Sequence, residues 1–160
     1  MDTPHGTGWR PRTTIILIVG LVTVLIGLVV AFIAVNFKPT TQVHLGSGVF
    51  SLWLADTDPE RIQGLSDVAS LPKNGGLLMK FDSNEPHGIW MKDMNFPLDI
   101  IWLDEQKKVI YTVLNAQPEE VATTVYAPKE PARYVIELPI GSVKKSGIKT
   151  GDVAEFKIDV

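Results

Sequence analysis

The chain has 160 residues, of which 45% are hydrophobic, and its formal net charge is −3. A nucleic-acid-binding surface needs a basic face, so this charge balance argues against a nucleic-acid partner. The chain contains no cysteine, which excludes disulfides, thiolate metal sites and a cysteine nucleophile.

The first part of the chain is predicted to be a membrane anchor. Residues 1–14 are polar and contain glycines and prolines, which predicts a disordered tail. Residues 15–35 carry no charge, and a helix of that length spans about 31 Å, close to the thickness of a bilayer core. Arg10 and Arg12 precede this run, so the positive-inside rule predicts a cytoplasmic N-terminus and an extracytoplasmic domain.

A cleaved signal peptide is the competing interpretation of the apolar run. The run is longer than a usual signal-peptide core, and Phe32 and Ile33 interrupt the small residues Ala31 and Ala34. We therefore predict an uncleaved single-pass transmembrane helix at 15–35, a linker at 36–42 and an extracytoplasmic domain at 43–160.

The domain is predicted to be mainly β, as a small sandwich or barrel-like fold with one or two short helices. Gly46–Gly48 predicts a hairpin turn, and Asp58-Pro59-Glu60 predicts a helix start with Asp58 as its N-cap. A second helical stretch at 140–146 is predicted to end at Gly147. Strands and helices do not alternate, which argues against a Rossmann-like fold. The predicted strands are 43–45, 49–54, 76–81, 88–91, 98–103, 109–114, 132–138 and 153–158.

Residues 98–103 are predicted to form the central strand, because apolar side chains lie on both of its faces. Asp99 shares one face with Ile101 and Leu103. A carboxylate in such surroundings costs several kcal/mol unless it is paired or hydrogen-bonded. Asp99 is therefore either a buried carboxylate whose hydrogen bonds link parts of the fold (a buried tie) or the charged floor of a ligand site. Its donors would be backbone N–H groups or one of the cations Lys92, Arg61 and Arg133; Lys92 is nearest in sequence, so we expect a tie to the Trp90–Lys92 turn.

Other conspicuous side chains are weaker indications of a functional site. Trp90 lies at a strand-to-loop junction and is suited to line a ligand platform, whereas Trp53 and Trp102 lie within apolar strands and are predicted to be core. Met79, Met91 and Met94 are predicted to fill the core rather than bind Cu(I). His87 with Asp82 and Glu85 is a weak metal or acid–base cluster in a polar loop. The loop at 119–131 is long enough to be functional or mobile.

Several short segments also occur, in the same order and spacing, in a known family. They are Glu60–Leu65, Trp90-Met91-Lys92, Pro97-Leu98-Asp99, Asn115-Ala116 with Pro118, Ala132-Arg133-Tyr134, Gly147-Ile148-Lys149 and Gly151-Asp152. With them, the chain from Val43 onward resembles the domain of unknown function numbered 192. The resemblance implies a compact β-rich domain and no established reaction.

The chain departs from that family's pattern at a few positions. Asp93 and Met94 stand where Asn and Thr are usual, Ser66 stands where Met is usual, and the turn before Lys108 lacks a Gly. Any role in the family that needs a neutral amide and a hydroxyl after Lys92 is therefore not expected of this chain.

We predict a membrane-anchored binding or envelope-associated module with a site around Trp90, Lys92 and Asp99. Further candidate site residues are Asp93, Arg61 and Arg133. The alternative is a small hydrolase acting on an envelope glycan, with Asp93 and Asp99 as paired carboxylates. A third interpretation is a structural partner domain. The expected partners are the membrane, through residues 15–35, and an envelope glycan or protein; no cofactor, metal or nucleic acid is expected.

Overall fold

The computed structural model describes residues 11–36 and 39–158, in two compact units, Met1–Lys38 and Pro39–Val160. In the first unit, helix α1 (Pro11–Asn36) begins at a proline, which is tolerated in the first turn of a helix. Residues 1–10 of the predicted disordered tail lie outside the described residues. The last four residues of that tail, 11–14, are helical. Over the described residues, no helix is long and apolar enough to cross a membrane, so the predicted transmembrane helix is not supported by the structure.

The second unit is built on one mixed sheet of six strands, in the order β1-β2-β3-β6-β4-β5. The predicted mainly β class with short helices is confirmed. The elements are β1 (Thr40–Leu45), β2 (Gly48–Ala55), α2 (Asp58–Gln63), β3 (Gly75–Glu85), β4 (Leu98–Leu103), β5 (Val109–Ala116), β6 (Ala132–Pro139) and α3 (Ser142–Ser146).

Strand β4 is a core strand buried on both faces, as its apolar pattern predicts. It lies between β6 and β5, and all six of its residues are buried. Leu98, Ile100 and Trp102 pack into one apolar cluster, while Ile101 and Leu103 pack into a second cluster. Since alternate side chains of a strand point to opposite faces, apolar packing covers both faces of the sheet at this strand.

The predicted hairpin and the first short helix are both present. β1 and β2 pair antiparallel around a turn in which Gly46 has a φ of +58°, a conformation that favours glycine. The N-cap of α2 is Thr57 rather than the predicted Asp58. The Glu60 carboxylate accepts hydrogen bonds from the Thr57 N–H and hydroxyl at 3.1 and 2.7 Å, and the helix starts one residue earlier than predicted.

Three features differ from the expectation. β2 and β3 are parallel, so α2 lies in the crossover between them, although the sequence shows no repeated alternation of strands and helices. Residues 88–91 and 153–158 form isolated bridges rather than sheet strands. β1 already begins at Thr40, inside the predicted linker, whose residues 37 and 38 lie outside the described part.

The segment that follows α3 bridges the two edge strands of the sheet. His44 of β1 and Glu155 exchange both backbone hydrogen bonds at 2.9 Å. On the other side, Val109 of β5 bonds the backbone of Gly151 and Asp152, each at 2.8 Å. This short segment therefore covers backbone groups on both edges.

Candidate functional site

A cavity of about 440 Å³ lies on the side of the sheet that carries α2 and the loop before β4. Its volume is in the range of small-molecule binding sites. The lining combines apolar, aromatic and charged side chains, and comes from α2 and the turn after it, the second half of β3, the segment 87–94 and one residue of β6.

Glu137 of β6 belongs to this lining although it is only 3% exposed. In the sheet it pairs with Leu77 of β3 and Ile100 of β4, two buried apolar residues. Its Oε2 atom has no hydrogen-bond partner in the described part of the chain. Burial raises the pKa of the Glu137 carboxyl to about 8, from an ordinary value of 4.5. The group is therefore mostly a neutral acid at pH 7.

Aromatic rings form one wall of the cavity. The His87 ring stacks on the Phe81 ring, with centroids 3.7 Å apart and planes 9° apart. The indole N–H of Trp102, a fully buried core residue, donates to the His87 carbonyl at 2.8 Å and holds that backbone in place. Trp90 is 42% exposed, so its ring is available to a ligand. The prediction that Trp102 is a core residue is confirmed.

Arg61 brings a positive charge to the cavity from α2. Its guanidinium lies 2.6 Å from the Asp58 carboxylate, one helical turn earlier, and 3.7 Å from the Asp82 carboxylate. It also donates to the backbone carbonyls of Asp56 and Lys80 and lies 5.4 Å from the centre of the Phe81 ring. These contacts hold the guanidinium in place and already compensate its charge.

The turn that carries Trp90 is fastened to the residues after α2. The Ser66 hydroxyl donates to the Lys92 carbonyl at 3.0 Å, and the Asp67 N–H donates to the Asp93 carbonyl at 3.0 Å. On its other side, the Met91 carbonyl accepts the N–H of Glu119 at 2.9 Å. The turn that carries Trp90 is therefore connected by hydrogen bonds to the residues after α2.

The long loop that begins at Glu119 is also held in place. The Glu119 carboxylate accepts the N–H groups of Thr123 and Thr124 at 3.0 and 3.1 Å. Hydrogen bonds from Thr124, and more weakly from Thr123, lower the pKa of that carboxyl. Tyr126 then exchanges two backbone bonds with Ile89, so this loop supports the aromatic wall from outside.

Asp99 is a buried tie whose donors are backbone groups. It is 2% exposed; its Oδ1 accepts the Asn115 N–H at 3.1 Å and its Oδ2 accepts the Val143 N–H at 3.0 Å. The expected tie to Lys92 is wrong, because the Lys92 ammonium lies 3.0 Å from Asp93 and both side chains are about half exposed. Asp99 thus joins the end of β5 to the start of α3 and does not line the cavity.

The structure brings together two of the six residues predicted for the site. Arg61 and Trp90 line the cavity; the other four, Lys92, Asp93, Asp99 and Arg133, are not part of its lining. The Arg133 guanidinium donates to the carbonyl of Asp82, at the edge of the aromatic wall. Asp93 and Asp99 lie in different surroundings, one half exposed and the other buried.

Sequence reasoning missed Glu137, although a signal for it exists. It stands between Ile136 and Leu138 in an apolar strand, the same pattern that drew attention to Asp99. Met79 and Met91 are buried core residues, as predicted, and Met94 is partly buried. Across residues 11–36 and 39–158, no group of three or more His, Asp or Glu side chains is placed to hold a metal ion.

Comparisons with known proteins confirm the family resemblance. Residues 41–156 match the model of the family DUF192, described as "Uncharacterized ACR". The UPF0127 protein of Thermococcus gammatolerans is 30% identical over 66% of this chain, and the chain spans only 65% of that relative's length.

Two solved structures are similar to this domain. A Sinorhizobium meliloti protein, named as a candidate transcription regulator, is 27% identical with a TM-score of 0.70, over 74% of this chain and 95% of the other. A Novosphingobium aromaticivorans protein of unknown function is 29% identical with a TM-score of 0.66, over 72% and 83% of the two chains.

Proposed function

We propose, from the premise that the chain belongs to the DUF192 family, that its β-rich domain is a binding module for a small polar ligand. The proposed binding site is the cavity that Glu137, Arg61 and Trp90 line. The observation that carries this proposal is the buried Glu137 side chain, which belongs to the cavity lining and whose Oε2 atom has no hydrogen-bond partner among the described residues.

A buried polar atom without a partner is costly, and native proteins rarely retain one without a reason. A ligand in the cavity would supply the missing hydrogen bond to Glu137. The surrounding side chains suit that role, because the aromatic wall offers apolar contact and Arg61 is already held by its own partners. A few convergent polar groups in a mostly apolar cavity are typical of small-molecule sites.

This proposal is tested by screening a library of small polar fragments against the full-length chain with amide-resolved NMR. We expect hits to shift the amide signals of residues 61–66, 87–90 and 137. Trp90→Ala should weaken those hits about tenfold or more, because a buried aromatic contact is a frequent hot spot.

Tyr111→Ala is the matched control for that experiment. Tyr111 is 39% exposed, close to the 42% of Trp90, but does not line the cavity. Its removal should leave fragment affinity unchanged. Fragments that bind elsewhere, or that bind equally well after Trp90→Ala, would contradict the proposal.

A glycan hydrolase acting through Asp93 and Asp99 is the alternative that the sequence left open. It receives less support from the geometry, because both Asp99 oxygens are occupied by backbone N–H groups and Asp93 pairs with Lys92. A glycosidase pair needs two carboxyl groups that face one scissile bond. Release of reducing sugar from cell-wall glycan by the wild type, but not by Asp93→Asn, would favour the enzyme.

We also propose that residues 15–35 hold the domain on the extracytoplasmic side of a membrane. The support is the uncharged run in the sequence, flanked by Arg10 and Arg12, and the exposure of its large apolar side chains. From Ile15 to Val29 these side chains are 46–71% exposed in the described helix, so they need a partner outside their own unit.

That localisation predicts the behaviour of the intact chain in cells. We expect it to sediment with membranes after alkaline extraction, and we expect protease added outside to remove residues 39–160. A chain found in the soluble fraction, or a soluble domain with a new N-terminus near residue 35, would contradict the anchor.

A further inference from the structure

We infer that the ligand of the Glu137 cavity carries a cationic nitrogen, an ammonium or a guanidinium, which pairs with the Glu137 carboxylate while its apolar part contacts Trp90. This inference rests on the proposed binding function and specifies the chemistry of the ligand. It stands on the position of Glu137, the charges around the cavity and the aromatic wall.

The charged groups that border the cavity favour a cation. Besides Glu137 they are Asp58, Arg61 and Asp82, and His87 is a further titratable group. The Arg61 guanidinium is paired with Asp58 and lies near Asp82, so two acids surround one base before Glu137 is counted. A carboxylate ligand would instead enter a site where buried Glu137 offers at most one O–H and where acids predominate.

The aromatic wall adds a second attraction for a cation. The faces of Trp, Tyr and Phe rings attract ammonium and guanidinium groups, most strongly where water is excluded. Arg61 already uses the Phe81 ring in this way, at 5.4 Å, while the exposed Trp90 ring is open to a ligand. A ligand that reaches Glu137 therefore passes aromatic surface and ends on a buried acid.

Binding of a cation is coupled to release of a proton. In the empty cavity the Glu137 carboxyl is mostly protonated at pH 7, because burial raises its pKa to about 8. When an ammonium group binds, the carboxyl loses its proton to solvent and the carboxylate pairs with the ammonium. We therefore expect the affinity to increase about tenfold per pH unit below pH 7 and to level off above pH 8.

Three probes of similar size test this inference on the full-length chain: 2-phenylethylamine, 2-phenylethanol and phenylacetate. We expect the amine to bind at least tenfold more tightly than the other two at pH 8. Titration calorimetry in two buffers of different ionisation enthalpy should show release of close to one proton at pH 7. Glu137→Gln keeps the shape of the side chain and should abolish both the preference for the amine and the proton release.

Glu155→Gln is the matched control, because Glu155 is an exposed acid that does not line the cavity. It should leave both the amine affinity and the proton release unchanged. Equal or tighter binding of the alcohol or of phenylacetate, or amine binding without proton release, would overturn the cationic-ligand inference. The proposed binding function would still stand in that case, since its own test is whether fragments of any charge bind this cavity and lose affinity after Trp90→Ala.

Discussion

Glu137→Gln is expected to stabilise the domain at pH 8 and to remove a large part of its pH dependence. In the native state the pKa of Glu137 is raised to about 8, from 4.5. Between these two values the unfolded chain has lost the proton and the native chain retains it, so wild-type stability falls as pH rises. The loss is about 1.4 kcal/mol per pH unit, or about 3 kcal/mol at pH 7, and it levels off above pH 8.

Urea unfolding of both proteins at half-unit steps from pH 5 to pH 8.5 checks this expectation. The difference in unfolding free energy between Glu137→Gln and wild type should grow steadily to about pH 8 and then stay constant. Glu155→Gln is the control, because Glu155 is exposed and bonds His44 through its backbone alone. Parallel pH profiles for wild type and Glu137→Gln would show that the acid is not buried in its neutral form.

Asp99→Ala is expected to lower the unfolding free energy of the domain by about 3–5 kcal/mol. The substitution leaves the N–H groups of Asn115 and Val143 without acceptors, the second of them in a fully buried bond. Asp99→Asn should cost less, because its amide oxygen still accepts one of the two N–H groups. Chemical denaturation at one pH compares the three proteins.

Lys92→Met tests whether Asp99 is held by backbone N–H groups or by an ion pair with Lys92. Because Lys92 pairs with exposed Asp93, its replacement should cost about 0–1 kcal/mol and should add independently to Asp99→Ala. A double mutant that is markedly more stable than the sum of the two single effects would show that Lys92 reaches Asp99 after all.

The patterns that act over a few residues were predictable from sequence. The apolar run of β4 predicts a strand buried on both faces, and Gly46 predicts the hairpin turn. The partners of Asp99 were not predictable, because they come from distant parts of the chain that the strand order brings together: Asn115 at the end of β5 and Val143 in α3. Nearness in sequence pointed instead to Lys92, whose side chain turns to Asp93.

Asp99 and Glu137 show that the sequence predicts where a buried acid lies but not what surrounds it. Both acids interrupt an apolar strand, so both predict a burial cost that something must offset. Asp99 accepts hydrogen bonds from backbone N–H groups, whereas Glu137, in the lining of a cavity, has an oxygen with no hydrogen-bond partner in the described part of the chain. Strand periodicity places each acid on a face of the sheet, but the elements packed against that face decide what the acid meets. For Asp99 these elements supply a donor from α3, whereas α2 and segment 87–94 form a cavity beside Glu137.

The segment that bridges β1 and β5 has a consequence for biosynthesis. Strand β1 leaves the ribosome early, yet among the described residues the bridge on its outer edge comes from Glu155, which is synthesised much later. The outer edge of β5 is likewise bonded by Gly151 and Asp152, which are also synthesised late. Unpaired strand edges are templates for association with other chains. A nascent chain that stalls before residue 151 therefore exposes two such edges together, and we expect it to depend on chaperones to a degree that the completed domain does not.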